Sequence, residues 1–305
     1  MKRVFVRLCA VVAVVAAVTT GCAEETSRPG PGSGSGSGAR PAAGPGPELT
    51  EAEKLRISDA HEVLIKRCMN RAGFSYWTGP RLSLAESRTP GYVSDDLAWA
   101  RTHGYGSRIQ GKVDRARQAN PNGTYRARLS AERRRAYDQA LDGGSEATVL
   151  TARLPDGRGS IRKRLGGCSL EAEKTLYGAP EAWFRADKAA GNLQPLYVPR
   201  ILRDERFTAA LASWAACMKR SGFPYPDPTA AREAAGRAGD FATEVRTAVA
   251  EAECARTTGL ASVARERQTH YLNALRPEYG ETLDTHRRLQ RQALERAARI
   301  TGPRV

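Results

Sequence analysis

"CMNRAGFSY" (Cys68–Tyr76) and "CMKRSGFPY" (Cys217–Tyr225) agree at six of nine positions although 149 residues separate them. The segment before the first copy, "LTEAEKLRISDAHEVLIKRCMNRAGF", opens on a capping-box pair, Thr50 and Glu53. Leu55, Val63, Leu64, Cys68 and Met69 follow at roughly helical spacing, and Phe207, Leu211, Trp214, Cys217 and Met218 repeat it before the second copy. Both copies therefore close a helix. Gly73 and Gly222 stand where the chain must turn left-handed to stop, a conformation that costs glycine little. A Schellman stop then folds Phe74 over Met69 and Phe223 over Met218. Gly73, Phe74, Gly222 and Phe223 are read as helix-stop residues, with a cysteine placed to staple each end.

Outward from these stops the chain reads as helix over about 93–103, 130–141, 168–177, 180–190, 204–221, 240–258 and 261–300. Pro277 breaks the last of these, or sits at the first position of a fresh helix. Two β-prone runs in "ATVLTARLPDGRGSIRKR" flank Pro155-Asp156-Gly157 and predict one β-hairpin. The expected class is mainly α: a disulfide-stapled helical domain with one hairpin and a long C-terminal helix. Strands do not alternate with helices, which argues against the α/β architecture of a solute-binding protein. The predicted division is a first helical half with the hairpin, 49–195, and a second half, 196–305. "CARTTGL" (254–260) and "ARTHGYG" (100–106) repeat the glycine stop, and "AYDQAL" (136–141) echoes "HYLNAL" (270–275). A diverged duplication would explain this, but the echoes sit differently relative to their cysteines.

Residues 1–21 read as a secretory signal: a basic start, an apolar run from Leu8 to Val18, then "VTTGC". The run is too short for a permanent membrane span. "TTGC" resembles the lipobox of bacterial lipoproteins and makes Cys22 the expected lipid-attachment residue, although Thr19 stands where that motif favours Leu. Residues 22–48 form a Gly/Ser/Pro-rich tether whose composition cannot bury enough apolar surface to fold, so it is expected to be disordered. The predicted location is the outer face of the cytoplasmic membrane.

The net charge is +15, and removal of the three basic residues in 1–21 leaves +12. Forty of the 48 basic residues are arginine, a skew that a GC-rich genome produces by codon bias. Export removes nucleic acid as a partner and leaves anionic lipid or acidic wall polymer as targets of the charge. Cys9 leaves with the signal and Cys22 takes the lipid, so Cys68, Cys168, Cys217 and Cys254 remain to form two disulfides outside the cytosol. Four thiols allow three pairings. Cys68 ends one helix and Cys168 starts another, which suits antiparallel neighbours. Cys217 and Cys254 both lie near C-terminal helix ends, so their helices must cross or run parallel. The expected pairs are Cys68–Cys168 and Cys217–Cys254.

No catalytic constellation stands out. His61 lies seven residues before Cys68 on one helix face, but reads as a half-exposed helix histidine. His103 precedes a helix-ending glycine, and His270 and His286 lie on the terminal helix without a metal-ligand spacing. Ser160 and Lys163 satisfy S-x-x-K but fall in the hairpin. Asp95, Asp96 and the scattered glutamates read as caps and solvated faces. No cofactor, metal ligand or phosphate-binding glycine loop is expected.

The lipobox, the tether, "CM-x-R-x-G-F-x-Y", "HGYG", "GGCSLEAEKTLYG" and "YLNALRPEYGETL" together resemble a group of actinobacterial (Streptomyces-type) secreted lipoproteins without an assigned activity. The resemblance implies a partner among envelope transporter components. The expected function is a non-enzymatic, lipid-anchored interaction or accessory module. Arg287, Arg288, Arg291, Arg296 and Arg299 leave little to bury after Pro277, so residues 281–305 are expected to form an exposed arm that carries the partner contact. The alternative is a small-ligand-binding or cell-wall-modifying protein whose site forms only in three dimensions.

Overall fold

The computed structural model describes residues 48–88 and 90–302. The signal segment, Cys22 and all of the tether except Glu48 lie outside the described residues. In chain order the elements are α1 (Glu51–Arg71), α2 (Leu84–Ser87), α3 (Leu97–His103), α4 (Ser107–Gln118), α5 (Pro121–Arg128) and α6 (Ala131–Asp142). The hairpin strands β1 (Thr148–Arg153) and β2 (Ser160–Leu165) follow, then α7 (Gly167–Tyr177), α8 (Pro180–Ala190), α9 (Gln194–Ile201) and α10 (Glu205–Arg220). The chain ends in α11 (Pro228–Ala238), α12 (Phe241–Thr257), α13 (Leu260–Asn273) and α14 (Arg276–Thr301). The fold is mainly α with one antiparallel hairpin, as expected.

The helix stops form as the repeat predicts. Thr50 and Glu53 cap α1 reciprocally. At its other end Phe74 N–H donates to the Met69 carbonyl at 3.0 Å and Gly73 N–H to Asn70 at 3.1 Å. The second copy matches, with Phe223 N–H on Met218 at 2.9 Å and Gly222 N–H on Lys219 at 3.1 Å. Phe74 and Met69 share one apolar cluster, and Phe223 packs against the cluster that holds Met218. The expected disulfides are both present, Cys68–Cys168 and Cys217–Cys254, with Cα separations of 5.5 and 5.7 Å. Trp214 Nε1 donates to the Glu251 carbonyl, three residues before each cysteine of the second pair. That offset makes α10 and α12 run in the same direction at the staple.

Pro277 lies in the first turn of α14, a new helix separated from α13 by Ala274 and Leu275. The exposed-arm expectation fails. Leu289, Ala293 and Ala297 are fully or almost fully buried, packed with Leu49 just before α1, Ile57 and Ala60 within it, and Leu176 and Tyr177 of α7. Alanines carry this seam: small side chains let helices approach closely, and a thin apolar stripe then suffices. Two of the five arginines meant to keep the segment outside tie it to the fold instead. Arg296 donates to the Leu176 carbonyl at the end of α7, at 2.9 Å, and Arg287 lies 3.8 Å from Glu48.

A boundary at 195 does not separate the packing either. The last helix, α14, packs on α1, α7 and α8, whereas α3 packs on α12 through Ala100, Ala248 and Ala252. Each half lends an element to the other. The second-half core gathers Tyr197, Phe207, Trp214, Met218, Leu260 and neighbours from α9 to α13. The hairpin lies on α8, with Leu150, Ala152 and Leu165 against Phe184.

Candidate functional site

The four paired cysteines and the two helix stops occupy the core and its edges, and none of them meets another at a common cleft. Cys68 is bonded to Cys168 and so cannot act with His61. The other histidines are scattered. The ring of His103 lies 5.1 Å from Trp99, and that of His270 meets Tyr271 edge-on. His286 stacks on Trp183, which stacks on Tyr177, and its Nε2 lies 3.8 Å from Asp187. Ser160 and Lys163 are three apart on a strand and thus point to opposite faces. Lys163 turns inward to pair with buried Glu173, so the S-x-x-K reading has no geometry. Among the described residues no three His, Cys, Asp or Glu side chains converge to hold a metal ion.

The most elaborate polar cluster was not legible as one. It begins with "HGYG". Gly104 has φ +61° and ψ −120°, and Gly106 has φ +95°, so α4 starts from a glycine and brings no side-chain cap of its own. A remote carboxylate supplies it. Glu244 of α12 accepts the Tyr105 N–H at 2.7 Å and the Ser107 N–H at 3.0 Å, and its other oxygen takes the Ser107 hydroxyl. Exposed amides at a helix start and a carboxylate are natural partners, since the amides and the helix dipole both favour negative charge there. Two turns along α12, Glu251 accepts the Tyr105 hydroxyl at 2.8 Å and an Arg232 guanidinium N–H at 2.8 Å. The same Arg232 nitrogen donates to the carbonyls of Gly91 and Tyr92, at 2.9 and 3.0 Å.

Glu251 is 1 % exposed. Burial pushes its carboxyl above the usual range, against the opposing pull of Arg232 and of the Tyr105 hydroxyl. The Tyr105 hydroxyl is pushed up too, first by burial and then by the Glu251 charge, so it stays a neutral donor. The expectation that the glutamates are caps and solvated faces is therefore wrong for Glu173 and Glu251, both buried, whereas Glu244 is a cap, buried and on another helix from the one it caps. Their signal in the sequence was spacing: Glu244 and Glu251 share a helix face with Ala248, Ala252 and Ala255, which no solvated face needs.

Beside this cluster lies an open cleft of about 410 Å³, walled by Arg88, Trp99, Tyr105, Arg232 and Glu244, with Glu86 at its rim. Lys112 bonds Glu86 and, with the Ser83 backbone, holds its carboxyl down at about 2. Most polar atoms of the wall bond one another, so the cluster chiefly pins residues 97–107 onto α12; the buried Arg232 Nε is the exception, without a partner among the described residues. No described helix is long and apolar enough to cross a membrane. No protein-family model, curated protein or solved structure matches this chain.

Proposed function

We propose that the protein is a non-enzymatic, lipid-anchored interaction module at the outer face of the cytoplasmic membrane, accessory to an envelope partner such as a transporter component. The observation that carries the reading is the cysteine inventory. All four cysteines among the described residues are consumed in two disulfides. Such pairing suits an oxidising compartment outside the cytosol and leaves Cys22, behind a signal-like run, as the thiol for acylation. A diacylated cysteine holds a membrane stably where one chain would not. With α14 committed to the core, the partner meets the protein on another surface. Cys22→Ala tests the anchor: it should release the protein to the medium or leave it unprocessed, and unchanged membrane retention in processed form would sink the reading. Cross-linking in membranes should then capture one envelope protein with the wild type and lose it with the released variant.

The second reading, a small-ligand-binding protein, is favoured by the cleft between Trp99 and Arg88. Its apolar wall and convergent charges fit a small amphiphile with an acidic group. Native mass spectrometry of protein taken from its own cells checks this, with a stoichiometric excess mass as the expected outcome.

A further inference from the structure

We propose that the outward face of the β-hairpin is a docking surface for anionic phospholipid headgroups. This rests on the membrane location proposed above and adds the surface by which the folded body lies down. The strand register pairs Val149 with Arg164, Thr151 with Arg162 and Arg153 with Ser160, so three arginines share one face. All three are exposed, as is Arg158 at the tip, and none of the four side chains makes a hydrogen bond or ion pair with a described residue. Elsewhere arginines are mostly engaged: Arg126 with Asp138, Arg206 with Glu266, Arg265 with Asp95, Arg267 with Asp204. Nearby acids do not answer the charge. Asp156 accepts the backbone N–H of Arg158, and Asp138, within electrostatic reach of Arg164, already takes two bonds from Arg126.

The inner face shows that this is a built platform and not a floating loop. Leu150, Ala152 and Leu165 are buried against Phe184, and the Tyr279 hydroxyl holds the Pro155 carbonyl at 3.2 Å. Guanidinium groups on a rigid surface lose little entropy in gripping phosphodiesters and do so with paired donors. Val149, 44 % exposed opposite Arg164 near the open end of the hairpin, supplies an apolar contact, and the arginine stems add more. Charge beside an apolar contact on one face is what an anionic membrane surface takes.

The test uses full-length protein purified from membranes and mixed with vesicles of phosphatidylcholine alone or with added phosphatidylglycerol. Trypsin cleavage after Arg158 reports whether the hairpin is covered. Phosphatidylglycerol should slow that cut, added salt should restore it, and phosphatidylcholine alone should leave it fast. The triple variant R153Q/R162Q/R164Q should lose the protection, by roughly fivefold for each arginine removed, while keeping its melting temperature and its flotation with phosphatidylcholine. Equal cutting of the wild type on both vesicles, or equal protection of the variant, overturns the inference. Failure of the wild type to float with phosphatidylcholine would count against the anchor alone. The hairpin is then read from flotation with phosphatidylglycerol vesicles, which the wild type must show and the variant must not.

Discussion

Gly73 and Gly222 hold φ of +78° and +84°, and no atom lies within 4 Å of where a Cβ would stand at either. Substitution there changes backbone conformation and nothing else. Gly73→Ala and Gly222→Ala should each cost about 1–2 kcal/mol, read as a shift in urea midpoint without a change in slope. Gly104→Ala should cost more than either. A Cβ there would sit 2.8 Å from Glu244 Cγ, and moving that side chain would uncap α4. A second test concerns pH. Burial, with a small push from Lys163, holds the His61 imidazole below its ordinary 6.5, against Glu173 and Glu62. The unfolded chain thus binds the proton first, so stability falls as pH drops through the window just below 6.5. His61→Gln should flatten this loss: between about pH 7 and about pH 5 the wild type should lose more stability than the variant. The stops were legible because glycine, methionine and phenylalanine act locally. Glu244 and Glu251 were not, because what each binds lies more than a hundred residues away or across a helix.

At the scale of elements, α14 shows how a composition can mislead. Its arginines suggested solvent, while its burial rests on Leu289, Ala293 and Ala297. Ala293→Leu and Ala297→Leu should each destabilise by about 1–3 kcal/mol through overpacking against α1 and α7. Glu295→Ala, on the exposed side of the same helix, should stay within about 0.5 kcal/mol. Thermal melts of the three variants separate the two faces. The same physics explains which helices escaped sequence reading. The α4 and α5 helices bury no residue fully, and α4 takes its cap from another helix. The α9 helix carries Pro199 inside it. The α11 helix begins at Pro228, capped by Asp227, and Gly236 lies inside it. The hairpin was legible because a Pro-Asp-Gly turn and its flanking runs are local signals.

For the molecule as a whole, the two staples close loops of different size, with sequence separations of 100 and 37. Chain entropy alone assigns about 4.7 kcal/mol to the larger and about 3.8 kcal/mol to the smaller. Replacing Cys68 and Cys168 by alanine should therefore cost about 1 kcal/mol more than replacing Cys217 and Cys254, by denaturant titration of the two double variants. The interlock of the halves sets something the staples do not: the order of events in time. The seam along α1 and α7 is completed only by α14, which lies far downstream of both in the chain. Helices α1 and α7 touch each other and share a disulfide, yet the apolar face they present together is covered only when residues 289–297 are present. A polypeptide truncated anywhere before residue 289 should therefore be held as an incomplete, protease-sensitive species, however much of it has already emerged.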